Sequence, residues 1–407
     1  MRLRDYQKAR ELILGLIRPD AKPEHLTKLA QGIGPHLSHW SEVLNVSYDN
    51  NALPLLYFTL HRSGLDTTIP EQAGEILLKS YLKNTRRTFS YQNELVKILT
   101  AFSNEGIPLM LLKGAIALIE GIYQDRNIRI MADLDLLIMR KNYEAAQKVL
   151  HGLEYFPEDN YRGEEDKIVF SKSTLKIVEI HFSPLGEHLA PYLPVEDVWS
   201  RALRKEKDGI TFFLPSPTDQ LYHLLVHEII QHQRMTNYRI LGMYEVYSLL
   251  AFYREEINFD VLFQRARRFN IEELFSIYLL LTEEKMGPIL SPSMKDDIKS
   301  RAGKSLLPYE KVSQNPLRLN WASNRFFIVL STSTGFSSYL KNAYRILIQE
   351  SVFLKSNEFL LSLYGLKKLP PPFLSLLKGF HVARVLFLHL VIALFFLLRR
   401  THQSDLM

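Results

Sequence analysis

The sequence contains no cysteine, which excludes a disulfide framework, a thiolate metal site and a cysteine nucleophile. It also lacks a strong excess of either charge. Fifty Lys and Arg against 44 Asp and Glu leave +6 over 407 residues, a balance that does not call for nucleic acid and suits a small polyanionic ligand equally well. The first residues, MRLRDYQKARELILGLIRPD, carry charges throughout and have no uninterrupted apolar core with a small-residue cleavage site, so no signal peptide is read and a cytoplasmic location is expected. No internal repeat occurs at solenoid spacing. The apolar tail, VLFLHLVIALFFLL, has about fourteen residues, short of the roughly twenty that span a bilayer. With Lys378, Arg384, Arg399 and Arg400 flanking it, it reads as a buried helix or as an interfacial one, giving peripheral membrane association through residues 373–400 as an expectation.

What is present is mostly helical period at both ends of the chain. Apolar residues recur every three to four positions in RELILGLI, in LPLLYFTLHRSG and from residue 75 to 102, where Leu78, Leu82, Phe89, Val96 and Leu99 are the expected buried stripe. Lys79, Lys83, Arg86 and Arg87 then fall on a solvated face of that helix. Gly106 and Pro108 end it. Next come a short apolar strand PLMLL, a helix AIALIEGIY, a strand IRIMADLDLLI, a helix NYEAAQKVLHGL and a hairpin of DKIVFSK and LKIVEIHFS turning at Ser173 and Thr174. The expected organisation is a helical region over 1–105, an α/β core over 106–215, a helical domain over 216–368, and a Pro-rich linker with an apolar helix over 369–407. The fold class is α+β, a small mixed sheet between two helical regions.

Chemistry centres on ADLDLL. In a strand, Asp133 and Asp135 share one face while Leu134, Leu136 and Ile138 take the other. Two adjacent carboxylates repel unless exposed, protonated or neutralised. A divalent cation such as Mg²⁺ is one remedy and a solvated sheet edge is another, and both stand at this point. Lys113 and Gly114 lie at a strand-to-helix turn suited to phosphate oxygens, although an exposed lysine and a turn glycine would look the same. Arg129 could reach a phosphate or a base, or relieve the repulsion between the acids. Glu179 is an acid in the otherwise apolar KIVEIHF, with His181 two residues on along the same face, so a third carboxylate could join the pair if the strands are adjacent. His223 and His227, one turn apart, with Glu228 and His232, have zinc-compatible spacing but are not His-Glu-x-x-His; an ordinary helix is the simpler reading.

Leu-Lys-Gly before a helix ending in tyrosine, then Arg-x-x-x-Asp-x-Asp-Leu-Leu and a later Glu-Ile-His, resembles the uncharacterised nucleotidyltransferase family (nucleotidyltransferase family 5) of the DNA polymerase β-like superfamily. The resemblance runs over roughly residues 50–250. Lys113-Gly114 stands where much of the superfamily has Gly-Ser or Gly-Gly, Glu179 where an aspartate is commonest, and Glu245 where the family often has aspartate. The resemblance implies a polymerase β-like mixed sheet and transfer of a nucleoside monophosphate from an NTP such as ATP to a hydroxyl of a small molecule or protein. It implies Mg²⁺ or Mn²⁺ on Asp133, Asp135 and Glu179, which would be catalytic, and nucleotide contacts from Lys113, Gly114, Arg129 and His181. A metal-dependent glycosyltransferase using a nucleotide sugar and a non-catalytic, membrane-associated interaction protein are the alternatives.

Overall fold

The computed structural model describes residues 3–34, 36–158, 166–172, 176–232 and 238–302. The expected hairpin turn at Ser173 and Thr174, the helical stretch beyond residue 302, the Pro-rich linker and the apolar tail over 373–400 lie outside them. The described chain falls within one unit, Met1–Leu306. Helices α1 (Leu3–Ile17), α2 (Pro23–Ile33), α3 (Leu37–Asp49) and α4 (Leu53–Arg62) lead into the long α5 (Glu71–Asn104). The core follows as β1 (Met110–Leu111), α6 (Lys113–Ile119), β2 (Asp133–Leu137), α7 (Tyr143–Gly152), β3 (Phe156–Pro157), β4 (Lys167–Lys172), β5 (Lys176–His181), α8 (Val195–Ser200), β6 (Leu203–Lys207) and β7 (Ile210–Leu214). Then α9 (Pro217–Val226) continues into a π-helical turn (His227–Gln231), and α10 (Ile240–Phe252), α11 (Phe259–Arg268), α12 (Glu272–Met286) and α13 (Pro292–Ala302) complete it. No described helix is long and apolar enough to cross a membrane.

The seven strands form one mixed sheet in the order β3-β4-β5-β2-β1-β7-β6. β2 pairs in parallel with β5 and antiparallel with β1, and β1 pairs in parallel with β7. β2 and β5 are therefore interior strands. Leu134, Val178 and Ile180 are fully buried, as is Leu136, which explains their apolar runs. The α+β class and the hairpin of β4 and β5 agree with the sequence pattern.

Local signals place the helix ends. Gly106 takes a left-handed φ of 64° after α5, and the Ile107 N–H returns to the Phe102 carbonyl at 2.9 Å, closing the last turn. Ser216 caps α9 by accepting from the Asp219 N–H, with Pro217 in the first turn where no donor is missed.

Two expectations are corrected. The buried face of α5 is Ala73, Leu77, Asn84, Thr88, Tyr91, Glu94, Leu95, Ile98, Leu99 and Phe102, whereas Leu78, Leu82, Phe89 and Val96 are exposed. Polar Asn84 and Tyr91 turn inward because the core segment beneath them needs donors. Residues 129–132 are not strand. The Asn84 amide donates to the carbonyls of Asn127 (2.6 Å) and Arg129 (2.9 Å), Arg87 donates to that of Met131 (3.2 Å), and the Tyr91 hydroxyl donates to that of Ala132. Side chains of α5 thus satisfy a backbone that a neighbouring strand would otherwise pair. Arg87 does this while remaining exposed, and Lys79, Lys83 and Arg86 are exposed as well. The preceding QDRN loop is pinned in the same way. Asp125 caps the 3₁₀ turn Arg126–Ile128 through the Asn127 N–H (2.8 Å) and accepts from the Tyr81 hydroxyl, and Arg126 donates to Gln92 (2.7 Å).

Candidate active site

The register of β2 on β5 builds the site. Asp135 lies opposite Glu179, and Leu137 opposite His181, on two parallel strands. Alternation puts Asp133, Asp135, Glu179 and His181 on one face of the sheet. His181 Nε2 lies 3.0 Å from Asp135 Oδ1 and 3.4 Å from Glu179 Oε2. Asp135, Glu179 and His181 each offer a donor atom within 4.8 Å of the others, the set of that kind found among the described residues. Asp133 sits two residues earlier on the same face, half-buried and outside that tight group.

Lys113, the first residue of α6, reaches the group just after β1. The Leu112 N–H donates to the Asp135 carbonyl at 3.0 Å, which registers the end of β1 against the aspartate. The next residue, Lys113, turns with a left-handed φ of 46°, uncommon for a side chain of this size. That turn brings its Nζ to 2.7 Å from Asp135 Oδ1. On the far side of the cluster, Lys167 on β4 donates to both Glu179 oxygens at 3.2 and 3.1 Å.

The buried acids are thus neutralised by two lysines and a histidine. Burial by itself would raise Asp135, but Lys113 and His181 hold it well below the usual carboxylate range. Glu179 is lowered too, its burial outweighed chiefly by the bond to His181. His181 is raised despite burial, by Asp135 and then Glu179. Asp133 has no such partner. Burial, then the charges of Asp135 and Glu179, push it up to about 6.

That value would make any metal binding through Asp133 pH-dependent. Only the ionised carboxylate ligates, so protons compete with the ion as the pH falls through about 6, by up to ~tenfold in affinity per unit per proton. A proton held on His181 works in the same direction. Mn²⁺ affinity followed from about pH 8 down to about pH 5 is expected to be flat and then to fall; a level profile throughout would remove Asp133 from the ligand set.

Arg129 does not reach the acids as an ion-pair partner. Its Nε donates to Glu245 Oε1 on α10 at 2.6 Å, and its guanidinium lies against Gly114. A Cβ at Gly114 would stand 2.2 Å from Arg129 Nη1, so the glycine makes room for arginine beneath the Lys113 turn. Glu245 gains a partner that sequence reasoning missed, because 116 residues separate the two. Arg239 extends the network, donating to Glu228 (2.9 Å) and lying 3.6 Å from Glu245. His223 and His227 do not join a metal group. They line a cavity beside Lys113, and burial keeps both below the usual imidazole value, His223 strongly so.

The site thus combines a mixed sheet carrying Asp-x-Asp on one interior strand, a third acid on its parallel neighbour and a Lys-Gly turn. No curated protein and no solved structure matches the chain. The family described as uncharacterised nucleotidyltransferase matches residues 36–287, a span that runs from α3 to the end of α12 and includes every site residue named above. The chain therefore belongs to this uncharacterised nucleotidyltransferase family and is a nucleotidyl-transferring enzyme by that membership.

Proposed function

We propose that the enzyme moves a nucleoside monophosphate from an NTP to a hydroxyl of a small molecule or protein, with Mg²⁺ or Mn²⁺ held by Asp133, Asp135 and Glu179. The observation that carries this reading is the in-register pairing of Asp135 with Glu179 on parallel strands, with His181 between them and Lys113 on Asp135. The donor set fits such an ion: carboxylate oxygens suit Mg²⁺, and an imidazole beside them suits Mn²⁺ as well. When bound, the ion neutralises triphosphate charge and lowers the pKa of an acceptor hydroxyl.

The chain's own residues supply the rest. Lys113, a quarter exposed at its side chain, can leave Asp135 for the β- and γ-phosphates once another positive charge occupies the aspartate, and the Gly114 backbone flanks that position. His181 holds Asp135 and Glu179 in fixed orientation. Glu179 would orient the acceptor hydroxyl and take its proton while that oxygen attacks the α-phosphorus in line and pyrophosphate leaves. Arg129, tied to Glu245, supports the turn from below.

The test is to incubate the protein with each α-labelled NTP, Mg²⁺ or Mn²⁺ and a cell extract. Label is expected to move to an acceptor with release of pyrophosphate. Transfer of sugar from a labelled nucleotide sugar instead would favour a glycosyltransferase, and neither transfer nor NTP binding would favour a non-catalytic interaction protein.

A further inference from the structure

On the side of α5 turned away from the core, Leu78, Leu82, Phe89 and Val96 are between 38% and 63% exposed. On a helix of 3.6 residues per turn these four fall within one narrow stripe, about 27 Å long from Leu78 to Val96. Single apolar side chains on a surface need no explanation. A continuous stripe of them marks an interaction surface.

Cations flank the stripe on both edges. Lys79, Lys83 and Arg86 follow one edge, exposed and without an ion-pair partner among the described residues. Arg126 stands on the other, because the 3₁₀ turn after the QD of the QDRN loop brings its guanidinium to Gln92 Oε1 at 2.7 Å, and it too is exposed. No acid answers them along the helix: α5 has no Asp or Glu between Glu75 and Glu94, and Glu94 is buried.

Charge and polarity together choose the occupant. A second copy of the same face would set cation against cation, and residues 303–407 are themselves rich in Lys and Arg, so charge selects neither. A protein partner fits less well, since protein interfaces are depleted in lysine, whereas two lysines border this stripe. An anionic bilayer meets both demands, with phosphates at headgroup level for the cations and acyl chains just beneath for the apolar side chains. It also asks for no shaped pocket. No described helix is long and apolar enough to cross a membrane, so α5 would lie along the surface.

We infer that this face of α5 docks on an anionic lipid surface, with Leu82 and Phe89 entering below the headgroups and Lys79, Lys83, Arg86 and Arg126 among the phosphates. The contact is separate in sequence from the apolar tail over 373–400 and does not depend on the chemistry of the acid cluster.

The test is sedimentation of the full-length protein with vesicles of phosphatidylcholine alone and of phosphatidylcholine mixed with phosphatidylglycerol. The mixed vesicles are expected to bind ~tenfold or more tightly than the neutral ones, with the difference shrinking as salt is added. Lys79→Gln, Lys83→Gln and Arg86→Gln combined in one variant are expected to lose ~tenfold or more on the mixed vesicles. Phe89→Ser is expected to lose ~tenfold through its apolar contact. All four positions are exposed, so thermal melts should match the native protein. Native-like binding by either variant would place the contact at the tail or on another surface and overturns the inference. Equal binding to both kinds of vesicle overturns it as well, as does absence of vesicle binding, which would leave an acidic protein surface as the occupant.

Discussion

Asp135→Asn is expected to lower NTP-dependent transfer by ~10³-fold or more, about 4 kcal/mol of transition-state stabilisation, while the chain stays folded. The carboxylate is buried at 4% exposure and touches both Lys113 and His181 with the same oxygen. Asparagine has nearly the same shape and keeps an acceptor for one of them. Lys113 is exposed enough to turn to water, so the fold loses a buried ion pair without stranding a buried lysine. What cannot be replaced is the negative charge that would hold a divalent ion. Asp133→Asn is expected to act in the same direction. Label transfer measured beside a thermal melt checks both, and activity within tenfold of the native enzyme in a folded Asp135→Asn protein would sink the assignment.

Gly114→Ala is expected to destabilise the protein by ~2–4 kcal/mol and to weaken NTP binding, a large effect for one methyl group. The added Cβ would stand 2.2 Å from Arg129 Nη1, 2.9 Å from its Cζ and 3.1 Å from Met131 Cε. Arg129 is a poor residue to displace. Its pKa is raised by Glu245 against the pull of burial, and the Asn84 amide holds its carbonyl. Moving the guanidinium would leave Glu245 to Arg239 alone, at 3.6 Å. Denaturant unfolding measures the loss. If alanine at 114 changes neither stability nor binding, the close packing of arginine under the Lys113 turn is wrong.

The acids were legible because strand alternation is a strict rule. Asp133 and Asp135 had to share a face, and Glu179 stood out as a charge in an apolar strand, so adjacency of the two strands was the one missing fact. The pairing of Asp135 with Glu179 supplies it. Sequence gave no sign that Lys113 rests on Asp135, because a lysine looks the same in solvent and in an ion pair. Nor could local pattern find the Arg129 and Glu245 pair, which joins the irregular segment before β2 to α10 across 116 residues.

The long helix α5 shows the opposite failure. Leu78, Leu82, Phe89 and Val96 have good apolar spacing, yet Phe89 is 63% exposed while Asn84 is 4% exposed. Period alone ranks faces by hydrophobicity, whereas this helix buries the face whose side chains can hydrogen-bond the irregular segment from Asn127 to Ala132. A backbone without a strand partner made polar residues the better core. The same unpaired segment explains why the second strand begins only at Asp133: its earlier residues spend their carbonyls on Asn84, Arg87 and Tyr91.

The most direct test of the metal-holding register is a crystal of the full-length protein grown with Mn²⁺ and a non-hydrolysable NTP, examined at the manganese absorption edge. The account predicts an anomalous peak within about 2.3 Å of carboxylate oxygens of Asp135 and Glu179, with Lys113 turned from Asp135 to the phosphates. A peak on His223, His227 and His232 with the acid cluster still closed on Lys113 and Lys167 would contradict it.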